Sequence, residues 1–219
     1  MDKLIIVANL KSHKDQNEAN SWIEAFSKHK NEIGAFENKE VILCPSFPYL
    51  FSFASAFSET INIKIGAQNV SPFDEGAYTG EVNAKQIKDF AQFALVGHSE
   101  RRTNFGETED MLQKKVEMCK KYGVAPVYLI QGKDTPIPVG VDTIAYEPVF
   151  AIGSGSADTP ENAQSVAEAV KERGNYSILY GGSVTSENVN KFTSGNLNGV
   201  LVGGASLDPE EFFKIIQNA

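Results

Sequence analysis

Glu147 directly follows the apolar run Thr143-Ile144-Ala145-Tyr146 and is followed by Pro148. A carboxylate at the end of a buried run, its backbone restricted by the next proline, is a candidate general base; a surface Glu in a turn is the other reading. His98 follows Phe93-Ala94-Leu95-Val96-Gly97 and opens a charged stretch, Ser99-Glu100-Arg101-Arg102. An imidazole there is either a structural hydrogen-bonding group or a partner in acid–base chemistry. Asn9 and Lys11 follow Leu4–Ala8 at a spacing of i, i+2, so they share one side of an extended chain. The lysine either reaches solvent along its own stem or meets an anionic partner. Two further runs end in Gly181-Gly182-Ser183 and Gly203-Gly204-Ala205. Glycines there let backbone N–H groups approach a ligand closely, which favours phosphate. One base, one imidazole, one lysine and a phosphate cradle suit proton transfer on a small phosphorylated carbonyl compound.

Other chemistries lack their residues. His13, His29 and His98 show no HxxxH or HExxH spacing, and no GxSxG elbow is present. Neither a metal nor a cofactor is therefore expected. Cys44 and Cys119 have no CxxC spacing and read as core thiols of a reducing compartment. The 219 residues carry a formal charge of −8, which disfavours nucleic acid as a partner. The longest early apolar run, Leu4–Ala8, is too short for a signal-peptide core or a membrane helix. A cytoplasmic protein with no membrane partner is expected.

The elements that must position these residues recur along the whole chain. Short, nearly continuous apolar runs occupy Leu4–Ala8, Val41–Cys44, Ile61–Ala67, Phe93–Val96, Val124–Ile130, Thr143–Tyr146, Ser177–Tyr180 and Gly199–Val202, as parallel strands buried on both faces do. Between most of them lie helical patterns. Asn17–Lys30 puts Trp22, Ile23 and Phe26 on one face; Glu107–Tyr122 carries Met111, Leu112, Val116 and Cys119; Thr159-Pro160 forms an N-cap followed by a proline at the first helical position. No linker interrupts the alternation, so one domain over 1–219 is expected. Its class is α/β, an eightfold β/α barrel of eight parallel strands. An open doubly wound sheet would carry a GxGxxG after its first strand, where this chain has Asn9-Leu10-Lys11. From Gln131 to Asp142, twelve residues hold two glycines and two prolines, which predicts that the helix between strands five and six is missing or reduced. A barrel of this kind has about 250 residues, and one lost helix explains most of the shortfall.

These motifs together identify a resemblance. Asn9-x-Lys11, Gly66-Ala67-Gln68-Asn69-Val70, Gly76–Glu81, Gly97-His98-Ser99-Glu100-Arg101-Arg102, Tyr146–Gly153, Tyr180–Val184 and Leu201–Leu207 resemble the triosephosphate isomerase family in order and in placement at strand ends, over the whole chain. The resemblance implies a TIM barrel that interconverts dihydroxyacetone phosphate and D-glyceraldehyde 3-phosphate. Glu147 is then the base, His98 a neutral electrophile, and Asn9 and Lys11 the groups that stabilise an enediolate. Glu100 matches a supporting acidic position, and Gly153, Ser183, Gly203 and Gly204 match phosphate-binding positions. The apolar stretch Val149–Gly155 reads by itself as a lid or as a simply packed loop, and the resemblance implies a lid that excludes water. The long link from Gln68 to Glu81 exposes Phe73 and Tyr78, and in the family it inserts into a second subunit with the residue matching Thr79 near the site, which implies a homodimer.

This chain departs from the family at Leu10 and Phe150, where Trp is usual, at Ser154, where Thr is usual, and at Ser156, where Lys is common. These positions concern packing and lid contacts. Two other classes remain open at this point: another phosphate-binding barrel enzyme, which would use a Schiff-base lysine within a strand or paired acids, and a non-catalytic module that binds triose phosphates.

Overall fold

The computed structural model describes residues 3–148 and 158–219. Eight parallel strands close into a barrel in chain order. They are β1 Leu4–Asn9, β2 Lys39–Cys44, β3 Ile63–Ala67, β4 Phe93–Val96, β5 Ala125–Ile130, β6 Thr143–Tyr146, β7 Ser177–Tyr180 and β8 Gly199–Val202. The ring is sealed between β1 and β8, where Ile5 pairs with Gly199 and Ala8 with Val202. Around it run α1 Gln16–Ser27, α2 Lys30–Gly34, α3 Leu50–Phe57, α4 Ala84–Ile87, α5 Ser99–Phe105, α6 Glu109–Tyr122, α7 Pro160–Lys171 and α8 Pro209–Asn218.

Period-two alternation divides each strand between two cores. Val7, Ile42, Leu95, Val127, Leu129, Ala145, Leu179 and Leu201 fill the barrel, while their neighbours pack outward beneath the helices. Trp22 and Phe26 of α1 stack at 4.7 Å and meet Phe53 and Phe212 from α3 and α8, so α1 is fixed by its predicted apolar face. Helix starts follow local chemistry. Asp15 and Glu18 form a reciprocal capping box at α1, and Thr159 caps α7 ahead of Pro160 as the sequence predicts.

The missing fifth helix is confirmed: residues 131–142 contain no helix, and β5 passes to β6 through turns. The link is nevertheless anchored. Thr135 Oγ1 accepts the N–H groups of Gln131 and Gly132 at 3.2 and 3.3 Å, and Arg173 from beyond α7 donates to the carbonyls of Lys133 and Thr135. Ile137 packs on the outer core and Val141 is buried, so two side chains take over part of the cover a helix supplies. A second reduction carries no such signal in the sequence. Between β7 and β8 the crossover holds only a 3₁₀ turn, Val189–Phe192, whose Phe192 stacks on Tyr180 at 4.0 Å.

Two helix boundaries also differ from the sequence reading. The segment predicted as one helix to Lys30 breaks after Ser27 into α1 and the short α2. Helix α6 starts at Glu109 with Thr108 as its cap, which releases Glu107 from the helix into a buried cluster.

Candidate active site

The carboxyl ends of the strands surround a cavity of about 340 Å³. Asn9 and Lys11 reach it from β1, His98 from β4, Glu147 from β6, Gly181 to Ser183 from β7, and Gly203 and Gly204 from β8. The strand-end residues singled out by type and spacing thus line one space. Gly153 and the stretch read as a lid, with Phe150, Ser154 and Ser156, lie outside the described residues.

Glu147 is 2% exposed. Oε1 is 3.1 Å from His98 Nε2, and Oε2 accepts the Ser99 backbone N–H at 3.2 Å. The latter donor lies in the first turn of α5, where unsatisfied N–H groups favour negative charge. His98 caps that same helix: its Nδ1 accepts the Glu100 N–H at 3.2 Å. An Nδ1 that accepts cannot also carry a proton, so the imidazole is the neutral tautomer with its proton on Nε2, the nitrogen nearer Glu147.

Lys11 is the one described non-glycine residue with positive φ, at 52°. That conformation costs on the order of 1–3 kcal/mol and persists only where surroundings fix it. Here Asn9 Oδ1 accepts the Lys11 N–H at 3.1 Å, and Gln68 Nε2 donates to the Lys11 carbonyl at 2.9 Å and to Cys44 at 2.8 Å. Gln68 opens the link that the family resemblance assigns to a subunit contact; in this chain it braces the lysine turn from inside its own barrel. Lys11 Nζ meets Glu100 Oε1 at 2.5 Å. Burial pushes the Glu100 carboxyl up, but the Lys11 hydrogen bond and the Lys11 charge hold it below its ordinary value. Glu100 therefore stays ionised beside the lysine without touching the cavity wall.

On the opposite wall, a glycine can line a cavity only with backbone. A Cβ on Gly182 would stand 2.0 Å from the Tyr180 hydroxyl, and one on Gly203 would stand 3.3 Å from Lys11 Cε. A side chain at Gly182 would displace Tyr180, and one at Gly203 would crowd the lysine stem. Ser183 lines the same wall, with its carbonyl accepting from Asn188 at 3.0 Å. His13, which its sequence spacing tests only as a metal ligand, also lines the mouth; its position two residues past Lys11 is the signal that could have placed it there.

Thr79 sits away from the cavity on the exposed stretch that follows Ser71. Phe73 and Tyr78 on this loop stack face to face at 4.3 Å, both more than 40% exposed. The loop base is fixed: Asp74 takes Lys121 and the Tyr122 hydroxyl, and with them the Glu75 N–H brings its carboxyl down to about 2. Among the described residues no three His, Cys, Asp or Glu side chains gather as a metal site requires, and no helix is long and apolar enough to cross a membrane.

Comparison with known proteins agrees with this geometry. The family model for triosephosphate isomerase matches residues 4–136 and 137–219, and its two stretches meet inside the helix-free link between β5 and β6. The chain is 35% identical over 243 residues to triosephosphate isomerase of Mesomycoplasma hyopneumoniae, covering 99% of this chain and all of that one. It is 34% identical over 253 residues to that of Dictyoglomus thermophilum, with both chains fully covered. In fold it is similar to the crystal structure of triosephosphate isomerase from Bartonella henselae, with a TM-score of 0.84, 24% identity and coverage of 99% and 98% of the two chains. With its barrel closed, its strand-end residues gathered on one cavity and its full length matched, the chain belongs to the triosephosphate isomerase family.

Proposed function

We propose that this chain interconverts dihydroxyacetone phosphate and D-glyceraldehyde 3-phosphate within glycolysis and gluconeogenesis, by proton transfer through an enediolate. The observation that carries the reading is the pairing of a buried carboxylate with a neutral imidazole across 3.1 Å, facing a glycine-lined wall in one cavity. Glu147 takes a proton from C1 of dihydroxyacetone phosphate, the C–H electron pair forms the C1–C2 double bond, and the carbonyl pair moves onto oxygen. Return of the proton to C2 gives the aldehyde, and the hydroxyl proton passes from the C1 oxygen to the C2 oxygen. His98, with its single proton on Nε2, is suited to hydrogen-bond both oxygens and relay it. Asn9 and the Lys11 ammonium stabilise the negative charge as it develops. Ser183, Gly203 and Gly204, and Gly153 by family resemblance, hold the phosphate through backbone N–H groups.

The direct test is a coupled assay of glyceraldehyde 3-phosphate conversion. Fast turnover without added metal or cofactor is expected. Triose phosphate that binds without being converted would instead make the protein a non-catalytic binder.

Replacing Lys11 with methionine keeps the stem and removes the charge. Because that charge serves the bound phosphate as well as the enediolate, KM rises and kcat falls together, and kcat/KM drops by about 10²–10³-fold. Steady-state kinetics check this; a change in thermal midpoint alone would leave the lysine a structural residue.

The same reading includes a homodimer in the cytoplasm. Its support is the stacked Phe73–Tyr78 pair on a loop whose base is anchored while its apolar tip faces outward. Thr79, next to that tip, is then the residue delivered toward the partner's site. Sedimentation equilibrium is expected to give a dimer, and Tyr78→Asp to shift it toward monomer with reduced kcat. A parent that sediments as a fully active monomer would remove the dimer from the reading.

A further inference from the structure

Glu147 Oε2 accepts the Ser99 N–H, while Oε1 has only the nearby His98 Nε2 at 3.1 Å. A substrate that engages the His98 Nε2 proton turns it toward its own oxygen, which leaves the Ser99 N–H as the one recorded donor among the described residues to a carboxylate that is 2% exposed. A buried carboxylate that loses a donor needs another close by.

Among the described residues, the buried side-chain polar atoms without a partner are Ser99 Oγ, Gln131 Nε2 and Glu107 Oε2. Glu107 belongs to a different cluster and is an acceptor. The other two are donors, and both belong to segments that meet Glu147. Ser99 already holds Oε2 through its backbone. Gln131 stands one residue beyond the Ile130–Tyr146 pair of β5 and β6, so it leaves its strand level with Glu147. Glu147 N donates to Ile130 O at 2.8 Å, which fixes the two strand ends together. The Gln131 backbone is pinned in turn by Thr135 Oγ1 at 3.2 Å, within the shortened link that replaces the fifth helix.

Resting on Glu147 as the base, we propose that Gln131 is a positioning residue whose carboxamide donates a hydrogen bond to the Glu147 carboxylate when substrate takes the His98 proton. Its unspent donor, on a residue level with Glu147 and tied to the link, then holds the ionised base in the position from which it reaches the substrate carbon. The titratable and charged groups around Glu147 are the neutral His98 from the end of β4 and Lys11 from the end of β1, with Glu100 of α5 and His13 farther out at the mouth.

The test is the pH profile of kcat/KM for the parent, Gln131→Met and Gln131→Glu. Methionine keeps about the same volume and removes the donor. A donor to the ionised form favours that form, so its loss makes the base easier to protonate and moves the acidic limb to higher pH. Gln131→Met is expected to show this movement with kcat lowered several-fold and KM nearly unchanged. Gln131→Glu adds a like charge and moves the limb further. An acidic limb that overlays the parent in both variants, with kcat within about twofold or with only the thermal midpoint changed, overturns the proposal. Glu147→Gln, run alongside, separates the two levels: if it turns over as fast as the parent, the base assignment fails and this inference with it.

Discussion

Shortening the base by one methylene, in Glu147→Asp, is expected to lower kcat by about 10²-fold, and neutralising it in Glu147→Gln by about 10²–10⁴-fold. The first figure is geometric. The carboxylate retracts by about 1 Å from its place beside Gly181, where an added Cβ would stand 3.0 Å from Glu147 Cγ. Retraction also lengthens the contacts to His98 Nε2 and Ser99 N, now 3.1 and 3.2 Å. Glutamine keeps the shape, and its amide is less costly to bury than a carboxylate, so the fold survives while the proton acceptor is lost. The coupled assay with a thermal melt on each protein reads both effects. Parent-like turnover in Glu147→Gln would show that the base lies elsewhere.

The barrel is legible in the sequence because its strands are buried on both faces and so appear as short apolar runs, a pattern that needs no knowledge of neighbours. Four of the eight strands match their predicted bounds, and the others shift by one to two residues. The missing helix is legible for a negative reason, since Pro136, Pro138 and two glycines exclude a crossover helix. The reduction between β7 and β8 is not, because Val184–Leu197 contains no proline and its polar spacing does not distinguish a 3₁₀ turn from a helix. The site is legible where a residue follows a strand directly, as Glu147, His98, Lys11 and the glycine pairs do. It is illegible where its support comes from distant sequence. Nothing near Gln68 announces that it braces Lys11, 57 residues away, and nothing near Gln131 marks its donor as unspent. Lys115 is hidden by pattern: it shares the face of α6 with Leu112, Val116 and Cys119, where a charged residue reads as an interruption of the stripe.

That lysine should be the most expensive side chain to lose outside the cavity. Lys115 and Glu107 have side chains only 1% and 2% exposed, and a single oxygen of Glu107 takes both Lys115 Nζ and Arg101 Nε. Lys115 Nζ also donates to Asn69 Oδ1 at 2.6 Å, on the loop that follows β3. Burial draws the Lys115 ammonium below its ordinary value, and the Glu107 hydrogen bond and charge offset that only in part. A buried pair of this kind adds little net stability compared with an apolar replacement, but removing one member leaves the other uncompensated at a cost of about 3–5 kcal/mol. Lys115→Met is therefore expected to lower the thermal midpoint by roughly 6–20 °C at this chain length. Changing both residues, in Lys115→Met with Glu107→Leu, should recover most of the loss, because Arg101 is 29% exposed and can turn to solvent. The loss should also reach the site, since Arg101 belongs to α5, the helix capped by His98 whose first N–H, that of Ser99, holds Glu147. Calorimetry on the single and double variants tests the pairing; a double variant no more stable than Lys115→Met would mean that the lysine acts through packing and not through the buried charge.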